Sequence, residues 1–172
     1  MKTALVIIAP TQYQDIELDG TRKALLEMGF TVVIGSTEIG VCAGKYGGSE
    51  QAQVALKDVD VSDYDRIAFI GGPGAEALRD DVYAMAVAKA AADAHMPLGA
   101  ICIAPTILAA AGVLDGKRAT CFMGDDGLEA EFLEDHGATF VHEDVVIDDH
   151  IVTANGPEAA EEFGKVFGGM AS

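Results

Sequence analysis

A chain of 172 residues and 17.9 kDa, half of it hydrophobic, is long enough to bury one substantial core and is expected to form a single domain over residues 1–172. Twenty-eight acidic residues against 11 basic ones leave a net charge of −17, which repels phosphate backbones and anionic bilayers, so neither nucleic acid nor a membrane surface is an expected partner. The apolar runs, near Ala4 to Pro10 and Ala104 to Val113, fall far short of the roughly 20 residues a membrane span needs, and the amino-terminal stretch does not resemble a signal peptide, so a cytoplasmic location is expected.

Lys2 to Ala9 is a continuous run rich in Val and Ile, the pattern of a strand covered on both faces. Ile16, Leu18, Ala24, Leu25 and Met28 then recur near helical spacing, which predicts a helix over Asp15 to Met28 closed by Gly29. Phe30 to Ser36 reads as the second buried strand. Between Gly40 and Leu56, short alternating pieces around Gly47 and Gly48 predict a small β-hairpin outside the main sheet. Arg66 to Ile70 is the next buried strand, and the Ala-rich stretch from Ala75 to His95 supplies one helix or two. Leu98 to Cys102 is a short strand running almost directly into a helix over Thr106 to Ala111, with Pro105 in its first turn. Lys117 to Cys121 is expected as a strand, Leu128 to His136 as a helix, Ala138 to Ala154 as a β-rich return interrupted by Asp148 and Asp149, and Pro157 to Phe167 as a closing helix. Strands and helices alternating at these lengths predict a doubly wound α/β fold, a mostly parallel sheet with helices on both faces.

Ligands of such sheets sit beyond the carboxyl ends of the strands, where Cys102 ends one strand and opens a helix. Amides at the helix start stabilise a thiolate, which predicts a reachable, ionised sulfur. Gly71, Gly72, Pro73 and Gly74 follow another buried strand. Glycines there let a backbone approach a ligand, and their amides, with that of Ile103, can form an oxyanion hole. Glu17, between apolar Ile16 and Leu18, is placed to meet the cysteine, where burial would raise its pKa and let it donate a hydrogen bond to the thiolate. Each feature also has a plainer reading: a cysteine that only packs, a glycine turn that only fits, a glutamate that faces water. Cys42 and Cys121 lack the turn context and read as structural, with Cys121 meeting Cys102 only if their strands are neighbours. Three cysteines without metal-ligand spacing indicate no zinc site, and no cofactor is expected. His95, His136, His142 and His150 read as surface residues, although His142 or His150 can reach the pocket from the C-terminal β-rich segment.

Four segments occur together in order: QDIEL from Gln14 to Leu18, FIGG from Phe69 to Gly72, AICIAPT from Ala100 to Thr106 and TANGP from Thr153 to Pro157. With them, nearly the whole chain resembles the PfpI intracellular-protease-like family and the related Parkinsonism-associated protein deglycase. The resemblance implies a flavodoxin-like fold of the class I glutamine amidotransferase superfamily, assembled as a homodimer or higher homo-oligomer. It implies Cys102 as nucleophile, Glu17 as its carboxyl partner, and amides of Gly72 and Ile103 as oxyanion donors. Glu76 matches an acid that completes the site across a subunit boundary in PfpI-like oligomers. Two departures stand out: Ile103 replaces the histidine that often follows the nucleophile, and Phe122 or Met123 stands near the place of a pocket histidine in the deglycase branch. The expected function is that of an enzyme acting on small reactive carbonyls or their adducts, of glyoxalase or deglycase type. The alternative is a redox sensor or stress-response protein that works through Cys102 oxidation. Peptide cleavage is disfavoured, because the histidine that would protonate a leaving amine is missing.

Overall fold

Alternation along the first strand divides the core in two. In β1 (Lys2–Ile7) and the residue beyond it, Ala4, Val6 and Ile8 pack on one side and Leu5 and Ile7 on the other, all fully buried. The computed structural model describes residues 1–172. After β1 come β2 (Thr11–Tyr13), α1 (Asp15–Glu27), β3 (Phe30–Ser36), β4 (Gly40–Gly44), β5 (Ser49–Ala52), β6 (Val54–Ala55) and β7 (Arg66–Phe69). A 3-10 segment over Pro73–Asp80 leads into α2 (Val82–Asp93), β8 (Leu98–Ile101), α3 (Pro105–Ala110), β9 (Arg118–Ala119) and α4 (Leu128–Asp135). The chain ends through β10 (Thr139–Phe140), β11 (Val145–Asp148), β12 (Ile151–Ala154) and α5 (Ala160–Gly169).

Seven strands form the main sheet in the order β11-β12-β8-β7-β1-β3-β6, with every neighbouring pair parallel except β11 and β12. Leu18 and Leu25 of α1, with Phe163 and Phe167 of α5, cover one face, while Leu78, Val87, Ala91, Ile107 and Leu108 from the 3-10 segment, α2 and α3 cover the other. This is the doubly wound, flavodoxin-like α/β fold. No helix is long and apolar enough to cross a membrane.

The expected elements differ from the observed ones where neighbours, not local pattern, decide. The hairpin forms as β4 and β5 around Gly47 and Gly48, but β2 joins it as a third strand, and β6, inside the expected hairpin, pairs instead with β3 at the edge of the main sheet. Ala75 to His95, expected as one helix or two, divides into the 3-10 segment and α2, because the Asp81 carboxylate caps the start of α2 by accepting from Tyr83 and Ala84 N–H, both at 2.9 Å. Lys117 to Cys121 yields only the two residues of β9, which pair with β10 outside the main sheet. The β-rich return is interrupted as expected, one residue later than Asp148: that residue ends β11 opposite Ile151, and Asp149 and His150 make the turn into β12.

A basic side chain is buried inside this frame. Arg66, 1% exposed at the start of β7, donates to the carbonyls of Phe167, Gly168 (2.9 Å) and Met170 (3.2 Å) and to Ser172 Oγ (3.1 Å), closing the carboxyl end of α5. Its guanidinium also lies 4.4 Å from the ring centre of Phe30.

Candidate active site

Cys102 joins β8 to α3 with φ of +67°, a conformation that costs an L-residue about 1 kcal/mol. Two backbone bonds hold it: Cys102 N–H donates to Ala154 C=O at 2.9 Å, and Phe122 N–H donates to Cys102 C=O at 2.7 Å. The chain therefore reverses sharply at the carboxyl edge of the sheet and presents the sulfur there. Amides of Gly72 and Ile103 are directed at that sulfur. Gly72 takes φ of +102°, and a side chain on it would run into the backbone of Gln12 and Gln14.

Glu17 reaches the same point from the first turn of α1, and its side chain is fully buried. Oε1 accepts from Gly71 N–H at 3.0 Å, Oε2 has no hydrogen-bond partner, and the carboxyl stands close enough to the Cys102 thiol for each to shift the other's titration. The contact is close because residue 71 has no side chain; a Cβ there would sit 2.6 Å from Cys102 Cβ and 2.8 Å from Glu17 Oε1. Burial pushes the Glu17 carboxyl up to about 7, against the pull of Cys102, the Gly71 hydrogen bond and the charge of Lys45.

The sulfur's ionisation differs from the sequence-based expectation. Burial and the Glu17 charge push the Cys102 thiol up to about 12, and the opposing amides of Gly72 and Ile103 do not offset them. Cys102 is only 9% exposed, so its thiolate loses more hydration than backbone dipoles return. Near neutral pH the proton rests on sulfur, and Glu17 lies close to its own midpoint.

The sulfur lines a cleft of about 240 Å³ with Gln14, Lys45, Tyr46, Ile103, Phe122 and Pro157. Lys45 is the one cation among its lining residues, at a position that neither periodicity nor motif singles out. Its loop is held by Asp15, whose carboxylate accepts from Tyr46 and Gly48 N–H, both at 2.8 Å. The signal was local: an acid in the first turn of a helix and a glycine-rich turn with a central lysine and tyrosine.

Cys102, Glu17, Gly72 and Ile103 thus meet, whereas Glu76 does not join them. It stands on the exterior, paired with Arg79 at 2.5 Å, and lines a separate depression with Phe132 of α4. The histidines also lie elsewhere. His142 lines a neighbouring hollow that shares Phe122 with the cleft. His150 cannot reach the sulfur, because it precedes β12 while Cys102 bonds the residue that ends it. Strand geometry puts roughly 13 Å between those ends. All three cysteines are free, and Cys121, although its neighbour Phe122 bonds Cys102, packs into the opposite core.

The sequence model described as the DJ-1/PfpI family matches residues 2–167. An uncharacterised protein of Methanocaldococcus jannaschii is 33% identical over 167 residues, spanning 95% of this chain and 80% of that protein. A protein of Pyrococcus abyssi named a deglycase is 32% identical over 155 residues, spanning 89% of this chain and 90% of that one. Among solved structures, a ThiJ/PfpI domain protein from Brachyspira murdochii superposes with a TM-score of 0.90 at 27% identity, covering 97% of this chain and 94% of that chain. The DJ-1beta protein of Drosophila melanogaster gives a TM-score of 0.85 at 26% identity, covering 96% and 88%.

Proposed function

The chain belongs to the DJ-1/PfpI family, and from that premise we propose that it is an enzyme acting on small reactive carbonyls, with Cys102 as nucleophile and Glu17 as the group that moves its proton. The observation that carries this reading is the contact of a thiol with a buried carboxyl whose pKa lies at about 7, beneath two convergent amides. Sulfur attacks the carbonyl carbon while its proton passes to the Glu17 carboxylate. The new C–S bond places negative charge on the former carbonyl oxygen, where the amides of Gly72 and Ile103 stabilise it. Return of the proton to that oxygen completes a hemithioacetal.

From there an α-dicarbonyl can be carried forward without an external oxidant. Glu17 moves a proton from the former aldehyde carbon to its neighbour, so one carbon is oxidised to a thioester as the other is reduced to an alcohol. Water then releases the 2-hydroxy acid and regenerates the thiol. A deglycase reaction on an adduct passes through a related sulfur-bound carbon, which fits the name carried by the Pyrococcus abyssi relative. The lining residues of the cleft include no histidine to protonate a leaving amine, which supports carbonyl chemistry over peptide cleavage.

The redox-sensing alternative uses the same sulfur, whose proton must likewise pass to Glu17 before it attacks peroxide. Consumption of a dicarbonyl such as methylglyoxal, with the hydroxy acid followed by NMR, tests the proposal. Cys102→Ser is expected to abolish it and Glu17→Gln to slow it about 100-fold or more. Unchanged turnover by Cys102→Ser would overturn the mechanism. Selective gain of two oxygens at Cys102 under mild peroxide, with no carbonyl turnover, would transfer support to sensing.

A further inference from the structure

The amino-terminal edge of the main sheet, opposite Cys102, gathers a second group of reactive side chains. β8 and β12 are parallel neighbours with Leu98 beside Ile151, so the residues just before the two strands meet in space. Leu98 N–H donates to His150 C=O at 2.9 Å. His95 arrives there from the end of α2, and Asp149 and His150 arrive from the turn between β11 and β12.

One potential ligand atom from each of His95, Asp149 and His150 lies within 4.8 Å of the other two. Asp149 Oδ2 holds His150 Nδ1 at 2.9 Å, while Nε2 of the same ring is buried with no hydrogen-bond partner. With the ring proton held at Nδ1 by the carboxylate, Nε2 carries the lone pair, which is the tautomer a metal ligand needs. A buried ring nitrogen of this kind calls for a partner. The His95 and His150 ring centres are 5.1 Å apart. Two imidazoles on one tetrahedral zinc ion, with Zn–N of about 2.1 Å, place their ring centres roughly 5 Å apart.

We propose that the imidazoles of His95 and His150, the latter oriented by the Asp149 carboxylate, form a binding site for a divalent transition metal of the zinc type. Imidazole donors suit zinc and its neighbours nickel and copper better than calcium or magnesium. The chain's net charge of −17 draws cations toward it. Lys117 is the local competitor, with Nζ 3.6 Å from Asp149 Oδ2. A bound ion would tie the end of α2 to the β11–β12 turn, remote from the cysteine.

The test is calorimetric titration of zinc chloride into the full chain, freed of metal by chelation. The series comprises the Cys102→Ser protein, which removes the exchangeable cleft thiol, and the same background carrying His95→Ala, Asp149→Asn or Lys117→Ala. One equivalent is expected in Cys102→Ser, with a melting temperature that rises with zinc. His95→Ala and Asp149→Asn are expected to weaken binding about tenfold or more, and Lys117→Ala to tighten it. His95 is exposed, so its loss leaves the fold intact, as circular dichroism would show. The proposal is overturned if Cys102→Ser shows no saturable binding, or if His95→Ala binds zinc as well as its parent.

Discussion

Replacing Glu17 by Gln separates the charge of this carboxyl from its shape. In the wild-type protein the carboxyl is raised from its ordinary value of 4.5 to about 7, chiefly by burial. A group whose pKa rises on folding contributes stability that is full below its unfolded value and is lost as pH climbs through its folded value. The interval from 4.5 to about 7, at about 1.36 kcal/mol per pH unit, corresponds to about 3 kcal/mol lost between pH 4 and pH 8. Gln retains an acceptor for Gly71 N–H, places an amide donor near the Cys102 sulfur and never ionises, so it mimics the protonated acid at every pH. The Cys102 thiol, pushed up to about 12, stays protonated throughout this window and contributes no slope of its own. Urea denaturation of both proteins at pH 4, 6 and 8 measures the effect. The two should be similar at pH 4, and the Gln variant should be the more stable by about 3 kcal/mol at pH 8. Parallel stability profiles would refute the raised carboxyl, and with it the assignment of Glu17 as a base poised near neutrality.

Three more perturbations follow from the same geometry. Gly71→Ala forces a methyl against Cys102 and Glu17 and should cost about 1–3 kcal/mol by urea denaturation, with carbonyl turnover collapsing as the two side chains separate. Lys45→Gln removes a positive charge that favours the Glu17 carboxylate, so the acid limb of the kcat/KM profile, expected near pH 7, should move to higher pH. Arg66→Leu leaves the carbonyls at the end of α5 without their donor and should cost about 3 kcal/mol by the same denaturation assay, although Arg66 is far from the cleft.

Strand and helix periodicity, read along the chain, determined the layered α/β architecture, because Val- and Ile-rich runs buried on both faces, separated by amphipathic segments, have few stable ways to pack. The strand-to-helix junction at Cys102 and the glycines from Gly71 to Gly74 were legible for the same reason: a sharp turn and a close backbone approach each demand particular residues locally. Whether the sulfur is ionised was not legible, since helix-start amides argue for a thiolate, and only the depth of Cys102 and its contact with Glu17 show that lost hydration prevails. Tertiary structure alone decided that Lys45 enters the cleft, that β6 leaves its hairpin for the main sheet, and that Glu76 and His150 stand away from the sulfur. It also brought His95 to Asp149 and His150, since parallel strands start from one edge and gather the residues that precede them. Periodicity reports which side of an element is buried; proximity between distant residues, and the loss of water that sets their charge, exist only once the strands have found their neighbours.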